Sequence, residues 1–187
     1  DVSNVTNMES MFRSATALNQ DIGNWDTSSV GDMKNMFRGA TSFNQDIRAW
    51  DVSNVTGMND MFNGAAAFNQ NIRAWDVSNV TGMNDMFNGA AAFNQNLIDW
   101  CVTGITTLPE NFALNSGEIT SQPRYQPSWG NCGNPIYLGD NGVTIKAKIG
   151  AIVGSTGTGS DNNIYTVVDN TTIAAQIAAG NYNLATT

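Results

Sequence analysis

One unit of 25 residues, repeated head to tail, constrains this chain more than any other feature. Residues 51–75 read DVSNVTGMNDMFNGAAAFNQNIRAW and residues 76–100 read DVSNVTGMNDMFNGAAAFNQNLIDW, so the two copies differ only at positions 97, 98 and 99. Looser copies occupy residues 1–25 and 26–50, and a decayed fifth runs from 101 to 112. A fixed period of this length is the mark of a repeat solenoid. No single unit can bury its own apolar stripe, but a stack of units shares one core.

The period sorts the apolar residues into columns. Met8, Met33, Met58 and Met83 form one, continued by Leu108. Met11, Met36, Met61 and Met86 form the next, and Phe12, Phe37, Phe62, Phe87 and Phe112 a third. Ala15, Ala40, Ala65 and Ala90 follow, then Leu18, Phe43, Phe68 and Phe93. The spacing i, i+3, i+4, i+7, i+10 predicts one face of a short helix in each unit. Thr6, Thr56 and Thr81 stand where an N-cap belongs, and Thr6 with Glu9 spells a capping box. Gly39, Gly64 and Gly89 limit that helix to two or three turns, because glycine weakens a helix interior.

A second apolar group is too short for a helix. Ile22 and Trp25 recur as Ile47/Trp50, Ile72/Trp75 and Leu97/Trp100, followed by Val52, Val77 and Val102. It predicts a brief extended segment pairing in parallel with its equivalents, about 4.8 Å per rung. The expected class is therefore a leucine-rich-repeat-like α/β solenoid, a short parallel strand ladder plus a short helix per coil. The tryptophans Trp25, Trp50, Trp75 and Trp100 and the phenylalanines Phe12, Phe37, Phe62 and Phe87 are expected in its core. Aromatic and methionine columns of this kind are packing rather than cofactor or metal sites.

The polar columns carry other expectations. Asn19, Asn44, Asn69 and Asn94 stack beside Gln20, Gln45, Gln70 and Gln95, and amides that both donate and accept can bond to one another and to turn backbone. Asp26, Asp51 and Asp76 also stack, and like charges at coil spacing repel by about 1 kcal/mol per pair in water. The N–H groups of the following Ser-Asn turn, or a bound cation, offset that repulsion.

With these residues in view, the unit W-D-V-S-N-V-T-x-M-x-x-M-F-x-x-A-x-x-F-N-Q-x-I closely resembles the BspA-like leucine-rich-repeat surface proteins of bacteria. The resemblance covers residues 1–112. The early copies depart from it at Leu18, Thr27 and Gly31. It implies a solenoid, secretion or surface anchoring, and adhesion or protein binding, with no catalytic residues. In a surface protein Cys101 and Cys132, the two cysteines of the chain, are expected to form a disulfide. They would staple residues 113–135, an irregular stretch read as a cap, to the last rung, with Trp129 packed on the core's end. A redox pair lacks the CxxC spacing.

Residues 136–187 read as a small β-rich α+β segment linking or assembling the array. A hairpin spans 136–146, a loop 154–163, a strand 164–169 and a short helix 172–179. The net charge of −8 without a basic patch argues against nucleic acid and anionic membrane surfaces. No apolar run reaches the length of a membrane span, so no membrane insertion is expected.

The chain contains no histidine, which removes triads and the HExxH metal site. Repetition is also the wrong signature for a unique active site. No enzyme, cofactor or metal is expected. The expected function is adhesion, or protein or glycan binding, outside the cell. Its surface would be the outward positions that vary between otherwise matching copies: Asn24 beside Gly23, Arg48 beside Ala49, Arg73 beside Ala74, and Asp99 beside Ile98. These are equally readable as unconstrained solvent positions. The alternative is a structural subunit stacking head to tail with neighbouring copies into a filament. It rests on a first coil whose Val2, Val5, Met8, Met11 and Phe12 are expected at an open end, covered by preceding residues or by a neighbour. Ice binding through Thr6, Thr56, Thr81 and Thr106 ranks last, since Gly31 breaks that row.

Overall fold

The computed structural model describes residues 1–117, 119 and 125–132, and beyond them four strands: β1 (Tyr137–Leu138), β2 (Ile145–Lys146), β3 (Ile152–Val153) and β4 (Tyr165–Thr166). Two compact units divide the chain, Asp1–Cys132 and Gly133–Thr187.

In the first unit the 25-residue repeats stack through their backbones. The N–H groups of Met8, Ser10, Phe12 and Ser14 donate to the carbonyls of Asp32, Lys34, Met36 and Arg38, one coil on. Met33, Asn35, Phe37 and Gly39 do the same to the third coil. Met58, Asp60, Phe62 and Gly64 do so to the fourth, all at 2.6–3.1 Å. The N–H groups in between bond inside their own coil: Met11 to the Met8 carbonyl, Arg13 to Ser10 and Ala15 to Phe12.

This pattern overturns the expected leucine-rich-repeat-like α/β class, for no repeat contains a helix or a strand. Among the described residues, helical backbone is confined to Gly117, Ile119 and Tyr125. The reason lies in the backbone dihedrals. Ser10, Asn35, Asp60 and Asp85 hold φ of 56–60°, and four residues later Ser14 has 61° and Gly39, Gly64 and Gly89 have 70°. A left-handed residue at these places prevents a right-handed helix from propagating. Each is the third residue of a reverse turn, where a type II turn demands positive φ. Consecutive turns bring Met33, Met36, Phe37 and Ala40 inward, as they do their equivalents in the third and fourth coils, so the same apolar spacing serves a backbone other than the helix. Nor do the threonines cap. The Thr56 hydroxyl donates to the Gly31 carbonyl at 3.1 Å, Thr81 to Thr56 at 3.2 Å, and the Glu9 N–H bonds to Asn7 Oδ1 at 2.7 Å.

The strand ladder fails as well. The N–H groups of Trp25, Trp50, Trp75 and Trp100 fold back onto the carbonyls of Ile22, Ile47, Ile72 and Leu97 at 3.0–3.2 Å, so that segment is a turn. Parallel pairing occurs elsewhere, as isolated bridges Asn7↔Asp32, Asp32↔Gly57 and Gly57↔Gly82.

The core is a set of stacked columns. Phe37, Phe62 and Phe87 are buried, with successive rings 5.5–5.6 Å apart and nearly parallel. Each also stacks inside its coil, on Phe43, Phe68 and Phe93, at 3.9–4.0 Å. Such offset contacts add about 0.5–1.5 kcal/mol per pair beyond area burial. Trp50, Trp75 and Trp100 are buried and donate Nε1–H to the carbonyls of Ile22, Ile47 and Ile72 at 3.1–3.2 Å. Phe12 and Trp25, in the first coil, are only half-buried.

The fifth coil carries one extra residue. Asp85, Phe87 and Gly89 donate to Glu110, Phe112 and Leu114, 25 positions on, where the earlier coils bond 24 positions on. Positive φ at Asn111 and Asn115 confirms the shifted register. Buried Pro109 therefore takes the first methionine column, and Leu108, expected there, bulges out at 60% exposure. Phe112 falls in the second methionine column and meets Phe87 edge-on at 5.4 Å, and Trp129 meets Phe112 edge-on at 4.9 Å. Cys101 and Cys132 are disulfide-bonded. Beside them Val102 N–H donates to the Asn131 carbonyl at 2.9 Å.

In the second unit β1 pairs antiparallel with β2 (Tyr137 with Lys146, Leu138 with Ile145). β3 pairs antiparallel with β4 (Ile152 with Thr166, Val153 with Tyr165). The loop read at 154–163 and the helix read at 172–179 lie outside the described residues.

Candidate functional site

The candidate binding residues sit at one corner of each coil, and an Asx-turn sets that corner. The side-chain oxygens of Asp21, Asp46, Asn71 and Asn96 accept the N–H of Gly23, Arg48, Arg73 and Ile98 at 2.9–3.1 Å. An acceptor side chain bonding the backbone two residues on fixes the turn without a helix or strand. At that corner Asn24, Arg48, Ala49, Arg73 and Ala74 are exposed.

The structure treats the four residues differently. Arg48 is exposed but folds back onto its own coil, Nη2 lying 2.6 Å and Nε 2.7 Å from Asp46 Oδ2. Arg73 reaches across to the next coil and pairs with Asp99, Nε to Oδ2 at 2.5 Å. Two candidate residues are thus brought together, Arg48 stands apart from them, and exposed Asn24 makes no side-chain bond among the described residues. Ile98, which holds the Arg73 position in the fourth coil, is buried. Two further ion pairs flank the turns: Arg38 to Asp60 at 3.2 Å, and Lys34 to Asp32 at 2.9 Å. The repeat pattern did not single these out: Asp32 stands where the other coils have Asn or Gly, and the Asp60 position is Ser or Asn in the first two coils.

The aspartate column is satisfied locally. Asp26, Asp51 and Asp76 accept the N–H of Ser28, Ser53 and Ser78 at 2.9–3.1 Å, and the Ser28 and Ser53 hydroxyls donate at 2.6 Å. First the serine hydroxyl and then the serine N–H hold all three carboxyls below their usual range, while the neighbouring Asp51 and Asp76 charges push Asp26 and Asp51 slightly back. Of the two offsets open in the sequence, the turn N–H groups are the one seen. Among the described residues no cluster of three or more His, Cys, Asp or Glu is placed to hold a metal, and no helix is long and apolar enough to cross a membrane.

The amide columns form a ladder. The Oδ1 atoms of Asn19, Asn44 and Asn69 accept the backbone N–H of Asn44, Asn69 and Asn94 at 2.9–3.0 Å. The same oxygens accept Nε2–H of Gln45, Gln70 and Gln95 at 2.7–2.9 Å.

No curated protein and no solved structure matches the chain. A family model with the description "Mycoplasma protein of unknown function, DUF285" matches residues 1–100 and, again, 46–117. The turn-built coils described above occupy those residues, more than half of the 187, and the chain belongs to the DUF285 family.

Proposed function

We propose that this chain is a non-catalytic binding module of an extracellular or cell-surface protein, taking a protein or glycan on the exposed corners of its stack. The observation that carries the reading is the division of labour within the repeat. The repeated carboxylates of Asp26, Asp51 and Asp76 are held in turns, and the Oδ1 atoms of the asparagine column are held in inter-coil bonds. The corner pair instead changes its chemistry from coil to coil: Gly23/Asn24, Arg48/Ala49, Arg73/Ala74, Ile98/Asp99. A rigid scaffold presenting variable exposed turns is how repeat proteins carry recognition. The Cys101–Cys132 disulfide supports the location, because such bonds persist in oxidising compartments. The resemblance to BspA-like surface proteins points the same way.

The test immobilises the chain and measures surface plasmon resonance against panels of extracellular-matrix proteins and glycans. At least one ligand should bind. The variant Arg48→Ala/Arg73→Ala/Asp99→Ala should weaken it about tenfold or more, as loss of an interface anchor does, while lowering the melting temperature by no more than about 4 °C. Silence across both panels, or full binding by the variant, would overturn the proposal.

A further inference from the structure

The amide ladder is fixed by the stack in a way that ordinary surface amides are not. Each of Asn19, Asn44 and Asn69 spends Oδ1 on two donors, the next coil's backbone N–H and the neighbouring glutamine's Nε2–H. That double acceptance settles which way the amide faces. It leaves the asparagine Nδ2–H groups as a column of donors with no partner among the described residues, and the glutamine Oε1 atoms as a parallel column of acceptors. Asn19, Asn44 and Asn94 are exposed, and Asn69, Gln45, Gln70 and Gln95 are half-exposed. The columns advance one step per coil, about 4.8 Å where backbones are hydrogen-bonded. The groups are ordered before any ligand arrives, so binding need not freeze them.

A ligand that uses such a surface must itself be periodic, extended, and a donor and acceptor at every repeat. A β-1,4-linked pyranose chain meets all three conditions. It is a straight ribbon, it carries hydroxyl or acetamido groups on each ring, and it advances by close to one coil spacing per ring. Carboxylate-rich or coiled α-linked chains fit less well, the former because the protein's net charge is −8. We infer that the ordered amides of Asn19, Asn44 and Asn69 with Gln45, Gln70 and Gln95 bind a linear, neutral β-1,4-linked polysaccharide, one ring per coil. This inference rests on the binding-module reading and names a ligand class and a site for it.

Isothermal titration calorimetry of the full chain tests it, with β-1,4-linked N-acetylglucosamine and glucose oligomers from one to six rings as probes. Affinity should climb with ring number for at least one series, by about tenfold or more from the dimer to the hexamer, as contacts on successive coils act together. Asn44→Asp/Asn69→Asp keeps the Oδ1 acceptor that the stack uses and removes the outward donors. It should abolish that gain. The length dependence in the unaltered chain stands as a readout even if the variant folds poorly. No binding of either hexamer, or an affinity independent of length, would overturn the site, as would a gain that survives in a folded variant. If the chain instead binds a panel ligand only through Arg48 and Arg73, the ladder inference falls and the binding-module reading stands.

Discussion

At the residue scale the fold depends on two kinds of position, the ring columns and the left-handed residues. Phe62 is fully buried between Phe37 and Phe87 and against Phe68. Phe62→Ala should cost about 3–5 kcal/mol, the transfer term plus a cavity that flanking coils cannot collapse. Arg73→Ala breaks a part-exposed pair with Asp99 and should cost about 0.5 kcal/mol. Urea titrations of both variants check the contrast. Gly64 sits at φ 70°, and a Cβ there would meet only ordinary contacts, the nearest being Gly39 Cα at 3.7 Å. Strain alone then sets the loss, about 1–2 kcal/mol for Gly64→Ala. Gly64→Asn should cost less, since asparagine tolerates this conformation and Ser14 already adopts it in the first coil. The reverse order would remove the turn explanation. The aspartate column sets a pH dependence. The folded-state values of Asp26, Asp51 and Asp76 lie below their ordinary value near 3.8. Their contribution is therefore full above that value and is lost as pH falls through the depressed values. The melting temperature should hold through neutral and mildly acidic pH and decline below about pH 4. Asp→Asn replacement at all three positions, which keeps the acceptor, should flatten the decline, and thermal scans across pH record it.

At the scale of the coil, the unit of folding is one 25-residue turn sequence plus its interface. Residues 51–75 and 76–100 differ at three positions, so deleting 51–75 should place the second coil on the fourth through the same bonds. The shortened chain should keep its far-ultraviolet spectrum per residue, and its urea m-value should fall with the area removed. A collapsed spectrum would mean that the coils are not interchangeable. This scale also shows what the sequence made legible. The apolar columns and the amide stacking were readable because they follow from period alone. The backbone was not, because Met8, Met11, Phe12 and Ala15 satisfy a helical face and a series of reverse turns equally well. The distinguishing signal was the residue type at positions 10 and 14, where Ser, Asn, Asp and Gly alternate among the coils. These are the types that accept positive φ, and glycine read only as a helix limiter conceals that. The Leu108 assignment failed for a simpler cause: one inserted residue near Thr106–Thr107 shifts the fifth coil, and a decayed repeat carries too few landmarks to reveal it. The corner residues were singled out by their variation, but the pairing of Arg73 with Asp99 needed the coil-to-coil geometry.

At the scale of the whole stack, the two ends differ chemically, and the difference bears on self-assembly. Inter-coil bonds run both ways: Met8, Ser10, Phe12 and Ser14 donate forward to the second coil, while Gly31 and Ser42 donate back to the carbonyls of Thr6 and Thr16. The outward face of the first coil carries the carbonyls of Asn7, Glu9, Met11 and Arg13, which have no donor among the described residues, together with the N–H of Thr6, whose equivalents donate back in later coils. Head-to-tail stacking requires a matching donor row on the fifth coil, whose first position is Pro109, a residue without an N–H. Around that coil lie Trp129, on Phe112, and the disulfide-held Cys132. The apolar incentive is also smaller than the sequence suggested. Met8 is buried by its own chain, Phe12 is half-buried, and Met11 is the large apolar side chain left exposed there, at 47%. Buried carbonyls without donors cost more than such a patch returns on association. Head-to-tail stacking through these faces thus lacks the bond at Pro109 and much of the apolar drive that the sequence suggested. Sedimentation velocity across a hundredfold range of concentration should give one species with no lengthening series. A ladder of oligomers that grows with concentration would show that donors for the first coil come from another part of the chain.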